Sequence, residues 1–355
     1  MDALIFAIRY TLYAIRIDMN KPIKLMEVCG THTMAIARAG IKKLLPPHVQ
    51  LISGPGCPVC VTDQADIDRA LAITLLPDVI MTTFGDMMRV PGTETSLQEM
   101  KQKGADVRVV YSCMDALEVA RAHPNKSIVF MGVGFETTSP TIAATILEAK
   151  RQRIKNFFIL SNFKLLFPAL DLLANSKKLR INGFICPGHV SVITGSQPYE
   201  AVARHSRKPC VITGFEASDI LKGIELLLQQ IDKSEYLVMI EYKRAVRKQG
   251  NKKALSVLNK VFKPVDAKWR GLGMIKKSGL GLRREFTPFS AEKKFKVKVP
   301  KPMQHKGCLC GEVIQGLKMP QECSLFKKAC TPQRPVGACM VSSEGACAAA
   351  FTYGE

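Results

Sequence analysis

An α/β fold with two similar open parallel-sheet domains and a smaller C-terminal part is what this sequence predicts, on three observations. Short apolar runs alternate with helix-length segments from Lys24 to about Tyr236, the grammar of βαβ units around a mostly parallel sheet. The pattern echoes itself: GFETTSP (Gly134–Pro140) and GFEASDI (Gly214–Ile220) each end an apolar strand and open a helix, and CGTHT is loosely mirrored by PGHVS. After about Tyr236 the chain turns basic and then cysteine-rich. The expected divisions are 1–120, 121–235 and 236–355, with room for a segment exchanged between the two α/β domains.

The opening MDALIFAIRYTLYAIRI is interrupted by Arg9 and Arg16, lacks a small-residue cleavage site and is too short to span a bilayer. It predicts an amphipathic helix. KLMEV and VQLI follow as short strands; Cys29 and His32 come directly after the first, and a Gly-Pro-Gly loop with Cys57 and Cys60 after the second. Two strand ends that deliver soft ligands point to one site at the C-terminal edge of a parallel sheet. DQADIDRALAI predicts a helix capped by Thr62 or Asp63, then PDVIMTTF a strand, SLQEMKQKG a helix and ADVRVVYS a strand. SIVFMGV restarts the grammar, with Thr138 or Ser139 as cap of the next helix and Pro140 in its first turn. NFFILSN, RINGFICPG and PCVITGF predict further strands. EYKRAVRKQGNKKALSVLNKVF predicts a basic helical region, and residues 264–302 ordered loops wrapped over another surface. The tail from Gly307 has six cysteines and few large apolar residues, too little for a core of its own, so a metal staple is expected.

With 355 residues, 47% hydrophobic and 23% charged, the composition is that of an ordinary globular protein. Twelve cysteines without a convincing secretion signal favour metal or redox chemistry in a reducing compartment over a disulfide framework. The net charge of +21 is uneven: residues 241–306 hold 20 Lys/Arg against 4 Asp/Glu. No nucleic-acid-binding motif accompanies them, so a solvated basic face or a surface for an acidic protein is expected rather than nucleic acid. GVGFET lacks the lysine of a phosphate loop and the third glycine of a dinucleotide fingerprint, and nucleotide use is unsupported.

Cys323, Cys330, Cys339 and Cys347 are separated by six, eight and seven residues, with Cys308 and Cys310 as spares. This is neither a zinc ribbon nor a ferredoxin run, and the spacing leaves zinc and an iron–sulfur cluster equally open. The CPVC pair permits a disulfide or half a metal site. Its helix caps fall two or three residues later, so no help from a helix dipole is expected. Cys29 with His32 fits an exposed metal or a buried structural pair. Cys113, Cys186 and Cys210, beside strands, are expected to be buried thiols. Asp86, Arg89, Glu136, His189 and Glu216 sit at strand ends, where turn chemistry and function compete; His48, His123, His205 and His305 lie in ordinary loop contexts.

MEVCGTHT, SGPGCPVC, TFGDMMRVPG, GVGFETTSPT, GFICPGHVS, VITGFE, EYKRAVR, PVDAKWRGLG and MVSSEGACAA together resemble the hydrogenase maturation factor HypD family, from Lys24 to the C-terminus. The resemblance implies two α/β domains followed by a domain with a [4Fe–4S] cluster on Cys323, Cys330, Cys339 and Cys347. It implies that Cys57 and Cys60 are a redox-active dithiol exchanging electrons with that cluster. Cys29 would hold a transient iron being fitted with CN and CO, with His32 positioning it or moving a proton. The resemblance further implies a cytoplasmic scaffold that works with HypC, accepts cyanide from HypE and serves the large subunit of a [NiFe] hydrogenase, without membrane insertion. Such a scaffold calls for an exposed Cys29 thiolate and a dithiol separate from the tail cluster. Phe163 and Phe167 depart from the family pattern, which more often has histidine and proline there. Two other classes compete. A zinc-stabilised basic module binding protein or nucleic acid needs only the tail and the positive segment; a stand-alone iron–sulfur disulfide reductase leaves Cys29 unexplained.

Overall fold

The computed structural model describes residues 22–303 and 305–354; the helix expected at the N-terminus lies outside them. Nine strands form the two main sheets: β1 (Ile23–Glu27), β2 (Val49–Ser53), β3 (Val79–Thr83), β4 (Val107–Val109), β5 (Ser127–Gly132), β6 (Phe157–Ser161), β7 (Gly183–Pro187), β8 (Cys210–Thr213) and β9 (Val238–Ile240). One sheet runs β2-β1-β7-β8-β9 and the other β4-β3-β5-β6. Every pairing in both is parallel. They form two tandem Rossmann-like α/β units, and buried runs such as VIMTT in β3 and GFICP in β7 show strands covered on both faces.

Sheet membership does not follow the order of the chain. After β2 the chain leaves the first sheet, builds the whole second sheet, and returns at β7 to complete the first. β4 and β5, on opposite sides of the 120/121 boundary, are both hydrogen-bonded to β3, and β9 lies beyond residue 235 yet extends the first sheet.

Local chemistry places the helices as expected. Asp63 caps Gln64–Thr74, its carboxylate accepting from the Ala65 N–H at 3.1 Å. Thr138 precedes the helix Ser139–Arg151, with Pro140 in its first turn. A capping box of Ser96 and Glu99 starts Leu97–Gln102.

The basic segment holds a long antiparallel hairpin of β10 (Phe262–Trp269) and β11 (Gly273–Leu282), bulged between Val265 and Ala267, where only wrapped loops were expected. It leans on β6: the Ser161 hydroxyl donates to the Leu280 carbonyl at 2.6 Å, and the Leu165 N–H to that of Ser278 at 2.8 Å. Trp269 anchors the far end, fully buried, its indole N–H donating to Ser278 Oγ at 2.8 Å. Truncating such a side chain costs about 3–5 kcal/mol.

The cysteine-rich tail is no separate module. Val313, Ile314, Phe326, Met340 and Ala348 belong to one apolar core with Met26 of β1, Ile52 of β2 and Val61. Small residues suffice because the tail borrows the faces of the sheets. No helix among the described residues is long and apolar enough to cross a membrane.

Candidate functional site

The C-terminal edge of the first sheet carries the first group of side chains. Cys29 ends β1 as the N-cap residue of the helix Gly30–Arg38. Two glycines let other segments close on it. A Cβ on Gly56 would lie 2.2 Å from the Cys29 nitrogen, and one on Gly30 would lie 2.5 Å from the Glu344 Cβ. The Gly30 N–H donates to the Gly56 carbonyl at 3.0 Å, and the Thr31 hydroxyl to Glu344 at 2.7 Å. Cys29 is therefore buried, with 7% of its surface exposed, against the exposed thiolate expected. Burial pushes its thiol up to about 12. Beneath it the buried Glu27 carboxyl accepts from the Cys29 N–H at 3.0 Å and from Thr33, and burial pushes it up to about 8.

His32 is fully buried, and burial pushes its imidazole down to about 4. Nε2 lies 2.8 Å from the Gly214 carbonyl oxygen, which only accepts, so Nε2 carries the proton of the neutral ring. Thr213 Oγ1 stands 2.9 Å from the same nitrogen, while Nδ1 has no hydrogen-bond partner among the described residues. The ring of Phe215 lies between His32 and the exposed His189, with centroids 4.8 and 4.0 Å away. β1, β7 and β8 thus deliver Cys29, His32, His189 and Phe215 to one edge, as a strand-end site requires.

The second group is sulfur. Cys57, buried, caps the four-residue helical turn Pro58–Val61 and accepts the Cys60 N–H at 3.3 Å, so the thiol does sit at a helix start, contrary to expectation. Cys60 reaches into the tail. Its thiol lies 3.9 Å from the carbonyl oxygen of Ala338, the residue before Cys339, and burial pushes it well above the usual thiol range. The dithiol and the tail are therefore adjacent rather than separate.

All six tail cysteines line one cavity with Leu325, Phe326 and Met340, so Cys308 and Cys310 join the four expected there. The donors suit a cluster chemically: soft thiols, no carboxylate in the lining, and the Val336 N–H donating to Cys330 Sγ at 3.3 Å. The sulfurs stand closed up, Cys310 and Cys339 at 2.7 Å, with about 10 Å³ of space left between the walls. Among the described residues no three His, Cys, Asp or Glu side chains are grouped to hold a single metal ion. Accepting a cubane requires these side chains to turn outward.

The HypD family model, described as the hydrogenase formation hypA family, matches residues 7–354. The chain belongs to the HypD family. It is 42% identical over 346 residues to the hydrogenase maturation factor HypD2 of Bradyrhizobium diazoefficiens, covering 95% of this chain and 91% of that one. Identity to the HypD of Cupriavidus necator is 44% (93% and 89% covered), and to that of Escherichia coli 43% (94% and 90% covered). The match to the HypD family runs through both groups of side chains.

Cys113, Cys186 and Cys210 are buried, as expected of strand-side thiols. Phe163, the departure from the HypD pattern, is core: it meets Phe262 edge-on at 5.5 Å. Glu344 and Phe215 escaped the sequence reading, though both stand inside motifs quoted for the resemblance, MVSSEGACAA and VITGFE.

Glu136 belongs to the second sheet. Oε1 accepts the Leu166 N–H at 3.0 Å, Oε2 has no partner among the described residues, and burial pushes the carboxyl up to about 7. The folded protein thus holds a proton between about pH 4.5 and 7 that the unfolded chain releases. This stabilisation is full below about 4.5 and is lost as pH rises through about 7. Glu136→Gln should flatten the fall of Tm across that window, as measured by thermal melts in a pH series. An unchanged slope would show the carboxyl to be ionised in the fold.

Proposed function

We propose that this HypD-family protein acts in hydrogenase maturation as a cytoplasmic scaffold. On this reading it holds an iron atom with HypC, accepts cyanide from HypE, and supports assembly of the Fe(CN)2CO unit for the large subunit of a [NiFe] hydrogenase. The observation that carries it is contact: the CPVC loop touches Cys29 through Gly56, the Cys60 thiol meets the Ala338 carbonyl beside Cys339, and Glu344 of the tail touches Gly30 and Thr31. Three sulfur groups that separate functions would have no reason to bring together form one continuous patch.

Cys29 receives the iron cargo. Its thiol must lose a proton that burial holds tightly, a loss that iron binding itself would drive, while neutral His32 positions the turn through the Gly214 carbonyl. His189, exposed across Phe215, is a second imidazole at that edge. Cys57 and Cys60 supply two electrons and release two protons on joining as a disulfide. Cys323, Cys330, Cys339 and Cys347 would hold a [4Fe–4S] cluster, which would supply single-electron chemistry. The Cys60 thiol, 3.9 Å from the Ala338 carbonyl, puts the dithiol next to that ligand set.

The test is complementation. Expressed with its cognate HypC and HypE in a strain lacking its own HypD, the protein should restore [NiFe] hydrogenase activity; no activity from folded protein would reject the reading. The basic segment makes a further prediction about these partners. If residues 241–306 steer an acidic partner, association should slow at least tenfold as salt rises from about 50 to 500 mM, because screening shortens from above 10 Å to a few ångströms. A stopped-flow rate indifferent to salt would leave that face merely solvated.

A further inference from the structure

Beside the sulfur cavity lies a second one of about 450 Å³, within the range of small-molecule sites. Arg270 lines it with 5% of its surface exposed. Its guanidinium is held in place: Nε donates to the Thr62 carbonyl at 3.0 Å and Nη1 to Gln64 Oε1 at 2.8 Å. Nη2 has no partner among the described residues. Lys306 and His305 add positive charge or donors, no described lining residue is acidic, and Cys308 and Cys310 close one wall.

A buried cation with an unpaired, solvent-shielded donor is costly unless an anion meets it. The guanidinium fork matches a carboxylate, and the two neighbouring contacts fix its plane in advance. We propose that this cavity binds a small organic carboxylate, its acid group on Arg270 and the rest of the molecule against Cys308. The volume excludes a folded partner, and the two thiols make a carboxylate-bearing thiol the fitting member of the class. This site is distinct from the Cys29 edge, and the inference does not depend on the maturation role.

Two reagents of nearly equal size separate charge from reactivity. Iodoacetate carries the carboxylate and iodoacetamide does not. In the anaerobically purified full chain, the rate ratio of iodoacetate to iodoacetamide at Cys308, read by peptide mass, should exceed that of a free model thiol about tenfold or more, the gain of one charge-assisted hydrogen bond. Excess mercaptoacetate should slow iodoacetate labelling at Cys308. Arg270→Gln should return the ratio to that of the model thiol, Arg270→Lys should keep part of it, and Lys306→Gln should leave most of it. A wild-type ratio no higher than the model thiol's overturns the proposal without any variant, guarding against Arg270→Gln failing to fold. A preference that survives in folded Arg270→Gln, or failure of both reagents to label Cys308, overturns it as well.

Discussion

Cys29→Ala should abolish the iron-bound cyanide and carbonyl bands of the complex while leaving the fold in place. The substitution removes one sulfur from a tight turn and costs about 1 kcal/mol, a typical single-residue loss. The Gly30–Gly56 hydrogen bond and the Glu27 contact to the Cys29 N–H are made by backbone and remain. The measurement is infrared spectroscopy of protein co-purified with HypC and HypE, where metal-bound CN and CO absorb in a region nearly free of protein bands. Metal analysis of the same samples should show the non-cluster iron lost. Cys113→Ala, which removes a buried thiol elsewhere, should keep both bands and iron. Equal bands in wild type and Cys29→Ala would take this residue out of the iron site. Bands absent from every sample, with partners intact and iron supplied, would count against the scaffold itself.

Cys339→Ser should have the next largest effect, because this sulfur touches Cys310 and the residue before it, Ala338, meets the Cys60 thiol. Anaerobic wild-type protein should contain about four iron and four sulfide per chain for the cluster, and Cys339→Ser should lose most of both. Cys60→Ser should disturb the cluster's spectrum without removing it, since Cys60 is a neighbour and not a ligand in this scheme. Cys308→Ser should leave the iron and sulfide content unchanged. Stoichiometric zinc without labile sulfide would replace the cluster by a structural metal. Full cluster content in Cys339→Ser would remove that residue from the ligand set.

Much of the first sheet's edge was legible because its signals are local. A strand, a cysteine and a helix start follow one another within KLMEVCGTHT; Asp63 marks one helix start by its carboxylate and Pro140 another by its fixed φ. The burial of Cys29 was not legible, because Glu344, which closes over its turn, comes 313 residues after Thr31. The hairpin escaped for a different reason. Apolar and polar residues alternate in β10 only over Val265–Trp269, after Lys263 and Pro264 have broken the pattern, and GMIKKSGLGL of β11 shows no regular alternation to pair with it. Adjacency of the dithiol to the tail was likewise hidden, since cysteine spacing says nothing about which distant loop a thiol meets. The sequence left room for an exchanged segment but did not say which, because βαβ grammar reads the same whichever sheet receives β7–β9.

That exchange has a consequence for a chain still being made. At 5–20 residues per second, β7 leaves the ribosome on the order of ten seconds after β2. The second sheet, whose strands are contiguous in sequence, can close during that interval, while β1 waits with one edge unpaired. Cys29 then has its helix and the Gly56 loop but neither the Gly214 carbonyl that orients His32 nor Glu344. Translation must reach the SSEGAC turn before the pocket around that thiol is complete. A chain that stops before Glu344 leaves the turn around Cys29 uncovered.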